Sequence, residues 1–330
     1  GKLKSANVDP KNKSAARADA VTLGDAWLQP SISQGLISPF PGMSDRHICS
    51  PAGPNILRFV LVGAEHSSWY RRLDPIWDPL LRRDRMSGQS DTQGPVWAAP
   101  YRVGCTMIAY DKRKEARIGR KIHDWPDLFV PSLEGRIGMP RSSRGAVGIA
   151  VKSLGGSFNE SDLEDAVDGG VDAVYDRMTI LRRQTRIFDD VDYLRALSCG
   201  DIWVAVGPST DLLTLQVKNP NLEVLVPSSG TSLWADLWTL PSYRFNTDPH
   251  GPSPLLPQWI DFCLQPARQT SMALLKGSES ALALRTMEDA SVSPWLLESK
   301  LIIDKNIMRR SEFLLPLGDE TLKQYKRLLV

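Results

Sequence analysis

Trp234 and Asp236 stand two positions apart in the run Ser232 to Leu240, which reads as a strand, so an indole and a carboxylate share one face of it. Ser209 follows a second apolar run, Ile202 to Val206, just past Gly207-Pro208. A sheet whose strands alternate with helices takes its ligands at loops beyond the carboxyl ends of its strands, so both places fall where a ligand could sit. A third group suits negative charge. Pro140-Arg141-Ser142-Ser143-Arg144 leads into a helix with Val147, Ala150, Val151 and Leu154 on one face, and free N–H groups at a helix amino terminus attract anions. The same hydroxyls would serve equally well as structural caps. The chemistry on offer is capture of a small molecule, not a reaction on it.

Enzyme signatures are missing: the chain has no G-x-S-x-G elbow, no phosphate loop of Walker type, no H-E-x-x-H and no G-x-G-x-x-G. His47, His66, His123 and His250 are isolated in polar surroundings, and His123-Asp124 with Asp127 reads as capping rather than as a metal cluster. No cofactor or metal is expected. Cys49, Cys105, Cys199 and Cys263 form no C-x-x-C pair, so they read as buried free thiols suited to a reducing compartment. Asn12-Lys13-Ser14 and Asn159-Glu160-Ser161 match the glycosylation sequon, a pattern short enough to arise by chance.

The elements that must position these residues follow in order. Residues 1 to about 17 read as a polar, basic tail, and Asp19 to Leu23 as a strand running through Gly24-Asp25 into a helix over Ala26 to Gln34 that carries Trp27. The chain from Pro39 to Gly94 is a long, weakly patterned connection with a candidate strand at Ile56 to Val62. Within it Ser68 to Arg85 shows helical spacing broken by Pro75 and Pro79, its arginines reading as a surface coat. Pro95 to Tyr110 is an apolar segment ending in Tyr101-Arg102, followed by a strand from Thr106 to Tyr110. A strand at Arg136 to Met139 comes next, then a capping box at Ser161 to Glu164, a helix over Val171 to Arg183 and another capped by Asp189 or Asp190. Ser209-Thr210-Asp211 caps a helix begun by Leu212 and Leu213, Leu222 to Val226 is a strand, and Leu255 to Leu264 and Ala267 to Leu275 are helical.

Composition leaves room for two domains: 330 residues, 42% apolar and 24% charged. Forty basic against 38 acidic side chains give a formal charge of +2, too little to argue for nucleic acid or an anionic membrane. No apolar stretch reaches bilayer length, and the amino-terminal segment lacks the apolar middle of a signal peptide.

The succession WAAPYRVGCTMIAYDK, DWPDLFVPSLEGRIGMPRSSRGAVGIAVKSLGGSFN, GDIWVAVGPSTDLL, LEVLVPSSGTSLWADLWTLP and WIDFCLQPA resembles the spermidine/putrescine-binding proteins of polyamine ABC transporters. More narrowly it is similar to the cyanobacterial and plant plastid branch of those extracellular solute-binding proteins. The resemblance implies an α/β fold like that of type 2 periplasmic binding proteins, with two lobes of mostly parallel sheets and an interlobe cleft. It divides the chain into a discontinuous first lobe, 1–106 with 237–290, and a second, 107–236 with 291–330. The first lobe is expected to lack an amino-terminal strand, helix and strand, and 41–94 to be a long loop or insert. A small-molecule ligand, a polyamine before an anion, is implied, with an ABC transporter membrane component as partner and no nucleic acid. No direct membrane insertion is implied either. The closest branch points to the chloroplast and the wider family to a bacterial periplasm.

Carried over position by position, the resemblance places Trp234 and Asp236 on the polyamine, the ring along the methylenes and the carboxylate on an ammonium. Elsewhere this chain departs. A family tryptophan is Pro208, an acidic pair is Ser142 and Gly145, a serine and a tyrosine are Gly24 and Ala26 with Asp25 and Trp27 beside them, and a further tyrosine is Ser278. The expected ligand residues are therefore Trp234, Asp236, Asp25, Trp27, Tyr101, Arg102, Ser142, Ser143, Arg144 and Ser209. One carboxylate is too few for a buried polyamine, and Arg102 and Arg144 favour an anionic ligand. For Arg144 a ligand role stands level with a structural one, in which it points outward or pairs with Asp236. The alternatives are an anion binder and a degenerate relative acting as a structural or interaction protein.

Overall fold

The computed structural model describes residues 18–40, 69–73, 75–242, 253, 255–265 and 305–328. The tail before Ala18, Cys49, the candidate strand at Ile56 to Val62, the helix over Ala267 to Leu275 and Ser278 lie outside these residues. Nine strands make one sheet among the described residues: β1 (Val21–Gly24), β2 (Ile37–Ser38), β3 (Ala98–Asp111), β4 (Ile137–Met139), β5 (Thr185–Phe188), β6 (Val204–Pro208), β7 (Leu222–Leu225), β8 (Ser232–Pro241) and β9 (Glu312–Phe313). The order is β1-β8-β3-β6-β4-β5, with β2 and β9 also on β8 and β7 also on β3. Only β4 with β5 and β6, and β8 with β9, run parallel. The remaining pairs are antiparallel, so the sheet is mixed and the expectation of mostly parallel sheets is corrected. The reason is β3 and β8, two long segments that run against each other and against nearly everything beside them.

β3 exceeds its expected span because Pro100 does not end it. The register slips between Pro100 and Arg102, leaving Tyr101 out of the ladder, and a proline is tolerated at such a bulge. Past the slip the strand continues to Asp111 and pairs with β6 and β7 as well.

Six helices of eight residues or more pack on the sheet among the described residues: α1 (Ser143–Ser153), α2 (Gly170–Gln184), α3 (Asp192–Cys199), α4 (Ser209–Lys218), α5 (Leu256–Cys263) and α6 (Asp319–Leu328). Two apolar cores result. The first gathers Leu28, Trp69, Trp77, Leu80, Trp97 and Leu237. The second gathers Tyr110, Trp125, Val147, Phe158, Met178 and Val206. β3 serves both, giving Val103, Cys105 and Met107 to the first and Ile108 and Tyr110 to the second. Burying tens of such side chains, at about 1.5–3 kcal/mol each, is what holds the crossing strands in place.

Several local expectations shift. The helix expected over Ala26 to Gln34 is a 3-10 turn, Asp25–Trp27, and then a short helix, Leu28–Ser33. Asp162, not Ser161, caps the helix at Leu163, while the Glu164 carboxylate accepts from the Val171 N–H. Ser209 opens α4 without capping it. Asp124 and Asp127 form a reciprocal capping box at Trp125, and Asp124 also accepts from Ser228 and Ser229, which ties that turn to β8. Of the cysteines, Cys105 and Cys263 are buried but Cys199 is exposed, a correction to the uniformly buried reading.

Candidate functional site

The pleat of β8 sorts its side chains. Leu233, Ala235 and Leu237 are buried on one face, and Ser232, Trp234 and Asp236 occupy the other. In register across from them β3 presents Arg102 against Asp236 and Gly104 against Trp234. The Arg102 Nε–H donates to Asp236 Oδ2 at 2.5 Å, and the guanidinium carbon lies 5.9 Å from the centre of the Trp234 ring. One step along, the hydroxyls of Thr106 and Ser232 are 2.8 Å apart. Gly104 carries no side chain, so the β3 group that approaches the indole face is the Arg102 guanidinium.

β1 closes this row from the other side of β8. Gly24 sits opposite Asp236, and a Cβ built on it would lie 3.9 Å from Asp236 Oδ1 and 4.0 Å from Trp27 Cδ1. The next residue, Asp25, accepts from the Ala26 N–H at 2.8 Å and from the Ala235 N–H at 3.3 Å. Burial pushes the Asp25 carboxyl up to about 6, with the like charge of Asp236 adding to the rise and two backbone N–H groups and Arg83 opposing it. Trp27 stands 63% exposed beside it. Two carboxylates and two indoles thus converge at the junction of β1, β8 and β3.

Arg83 is the residue missed by sequence reasoning. Read as part of a surface coat, it is 1% exposed and Arg82 8%. The Arg83 Nε–H donates to the Leu80 carbonyl at 2.7 Å, its own carbonyl accepts from Trp97 Nε1, and its Nη1 has no partner. Burial pulls its guanidinium down to about 10 while the field of Asp25 holds it up. The only sequence signal was the doubled Arg82-Arg83 after the apolar pair Leu80-Leu81.

The other expected ligand residues lie elsewhere. Arg144 donates to the Phe158 carbonyl at 3.3 Å and to Asn159 Oδ1 at 3.0 Å, so it neither pairs with Asp236 nor points outward. Burial lowers its pKa. Ser142 caps α1 by accepting from the Gly145 N–H at 3.0 Å, and Ser143 is the exposed first residue of that helix. Ser209 is buried, its Oγ accepting from the Cys105 N–H at 3.2 Å. Tyr101, turned out by the bulge, stacks on Trp238 at 5.0 Å between ring centres, and Trp238 packs on Trp259. Of the ten expected residues, Asp25, Trp27, Arg102, Trp234 and Asp236 are brought together.

Comparison with known proteins adds the lineage. A putrescine/cadaverine-binding protein of Pseudomonas aeruginosa is 24% identical over 204 residues, 58% of this chain and 54% of that protein, so the chain spans about half the length of this curated relative. Among solved structures, a spermidine/putrescine ABC transporter substrate-binding protein from Streptococcus pneumoniae superposes with a TM-score of 0.66 at 16% identity, covering 96% of this chain and 83% of that one. A putative spermidine/putrescine ABC transporter protein from Listeria monocytogenes gives 0.60 at 20% identity, covering 94% and 82%. At such identities the likeness shows the fold, that of a periplasmic binding protein. Residues 69–296 match bacterial extracellular solute-binding proteins along more than half of the chain, and the chain belongs to that family.

Proposed function

We propose that this chain captures a small organic amine where its two halves meet along β3 and β8, as a solute-binding component feeding an ABC transporter. The observation that carries this reading is the convergence of Asp25 and Asp236 with Trp27 and Trp234 at one junction. An ammonium leaving water needs carboxylate oxygens to replace its hydration, and an alkyl chain lies favourably along indole faces. Sequence alone offers one carboxylate in place; the register of β1 on β8 supplies the second. Arg102 does not block the site, because its ion pair is 44% and 28% exposed at the two side chains, and such pairs are worth about 0–1 kcal/mol. An incoming ammonium can approach Asp236 through Oδ1, since Arg102 engages Oδ2. The lobes divide at these strands, 1–106 with 237–290 against 107–236 with 291–330. A bacterial extracellular setting accords with the family's description, and the chloroplast reading rests on the motif resemblance alone.

Calorimetric titration of the full chain with putrescine, spermidine and butylamine tests the reading. Heat of binding that is lost in Asp236→Ala supports it; equal heats for the two proteins, or silence toward every amine, would overturn it.

A further inference from the structure

We infer that the solute held at the β1–β8–β3 junction is zwitterionic, an amino acid whose ammonium and carboxylate are separated by a short methylene chain, and that Arg102 selects it. The inference rests on the reading that this junction is the solute site. Its first support is charge. Asp25 and Asp236 contribute two negative charges, and Arg102 on the surface of the junction and Arg83 beneath it contribute two positive ones, which sum to zero. A diamine would bring two uncompensated positive charges into this balance, and an unpaired charge removed from water costs several kcal/mol. A zwitterion adds none.

The second support is the supply of donors. Trp234 Nε1 is buried without a partner, and among the described residues the hydrogen bond of Arg102 is made by its Nε to Asp236, its two terminal nitrogens taking no part. A guanidinium offers five N–H groups in a fork that fits a carboxylate two at a time, so Arg102 can keep Asp236 on one edge and receive a ligand carboxylate on another. A diamine would leave these donors unanswered, because an ammonium accepts nothing. The acceptors lie apart from them, on Asp25, whose two oxygens each take one backbone N–H and retain lone pairs for an ammonium. The rings of Trp27 and Trp234 stand at the same junction, Trp27 beside Gly24 and Trp234 under the Arg102 guanidinium, as apolar surface for the methylenes.

Isothermal titration of the full chain with 4-aminobutanoate and with putrescine decides the matter, alongside Arg102→Leu and Arg102→Lys. We expect the wild-type chain to bind 4-aminobutanoate at least tenfold more tightly than putrescine. Arg102→Leu, checked for an unchanged thermal melt, should invert that order, and Arg102→Lys should keep it with a smaller ratio. Tighter binding of putrescine by the wild-type chain, or an amino-acid preference that survives Arg102→Leu, overturns the inference and leaves the amine site standing. No heat and no change in tryptophan fluorescence with either compound overturns the site itself.

Discussion

Arg102 on β3 and Asp236 on β8 face each other in register, joined by a 2.5 Å hydrogen bond between β3, which serves both cores, and β8, which serves the first. Half-exposed at the arginine, the pair contributes little to folding. Arg102→Ala is expected to lower the unfolding free energy by no more than about 1 kcal/mol in urea titration. A loss of several kcal/mol would mean that the pair is structural, not held ready for a solute.

Asp25 carries a pH signature. Its folded-state carboxyl sits near 6 against an ordinary 3.8, so the folded chain holds this proton more firmly than the unfolded one. Stability from this group is full below about pH 4 and is lost as pH rises through about 6, by up to about 3 kcal/mol. Urea midpoints measured from pH 4 to 7.5 should show the wild-type chain losing ground to Asp25→Asn across that window. Parallel curves for the two proteins would count against it.

Bound amine should show the opposite trend, since an ammonium favours the ionised carboxyl. Affinity for an amine is expected to fall between pH 7 and pH 5 in the wild-type chain and to change less in Asp25→Asn, read by calorimetry in matched buffers.

Glu312 holds β9 to the end of α1. It accepts from Lys152 Nζ at 3.0 Å, from Asn159 Nδ2 at 3.3 Å and from the Ser157 hydroxyl, and Lys152 is only 10% exposed. Glu312→Ala leaves that ammonium with the Arg310 carbonyl but no counter-charge and should cost about 3 kcal/mol in chemical denaturation. Glu320→Ala, which breaks the exposed pair with Lys323, should cost no more than about 0.5 kcal/mol.

Gly230 has φ +95°, and a Cβ there would stand 2.0 Å from the Arg310 carbonyl oxygen. Backbone cannot yield as a side chain end does, so Gly230→Ala should destabilise by more than about 3 kcal/mol and displace the segment that precedes β9. Limited proteolysis that cuts the variant near Arg310 and spares the wild-type chain would register that displacement.

How far the sequence reaches depends on where the deciding contact lies. The Trp234–Asp236 spacing is legible because a period of two on a strand is local, and so are the strand at Val21 and the cap at Asp124. Arg83 is not, because prolines at 75 and 79 break the helical pattern around it and its burial comes from Trp97, fourteen residues on. Arg144 misleads for the same reason: its partners, at Phe158 and Asn159, lie in the loop after α1. Asp25 needs two steps, a place at the end of β1 and the register of β1 on β8, and only the first can be had from residue order. The mixed sheet is equally hidden, since Pro100 disguises the start of β3 and the antiparallel run of β3 against β8 joins residues more than a hundred positions apart.

Because β3 gives side chains to both cores and is bonded to β8 on either side of the slip at Tyr101, the two strands act as a two-ply ribbon. Such a ribbon flexes more readily out of its plane than within it, so any swing of one half toward the other would follow a single axis. Arg102, Trp234 and Asp236 ride on the ribbon itself and would keep their spacing at every angle of such a swing. A solute captured there would meet a finished floor, and only the walls would travel.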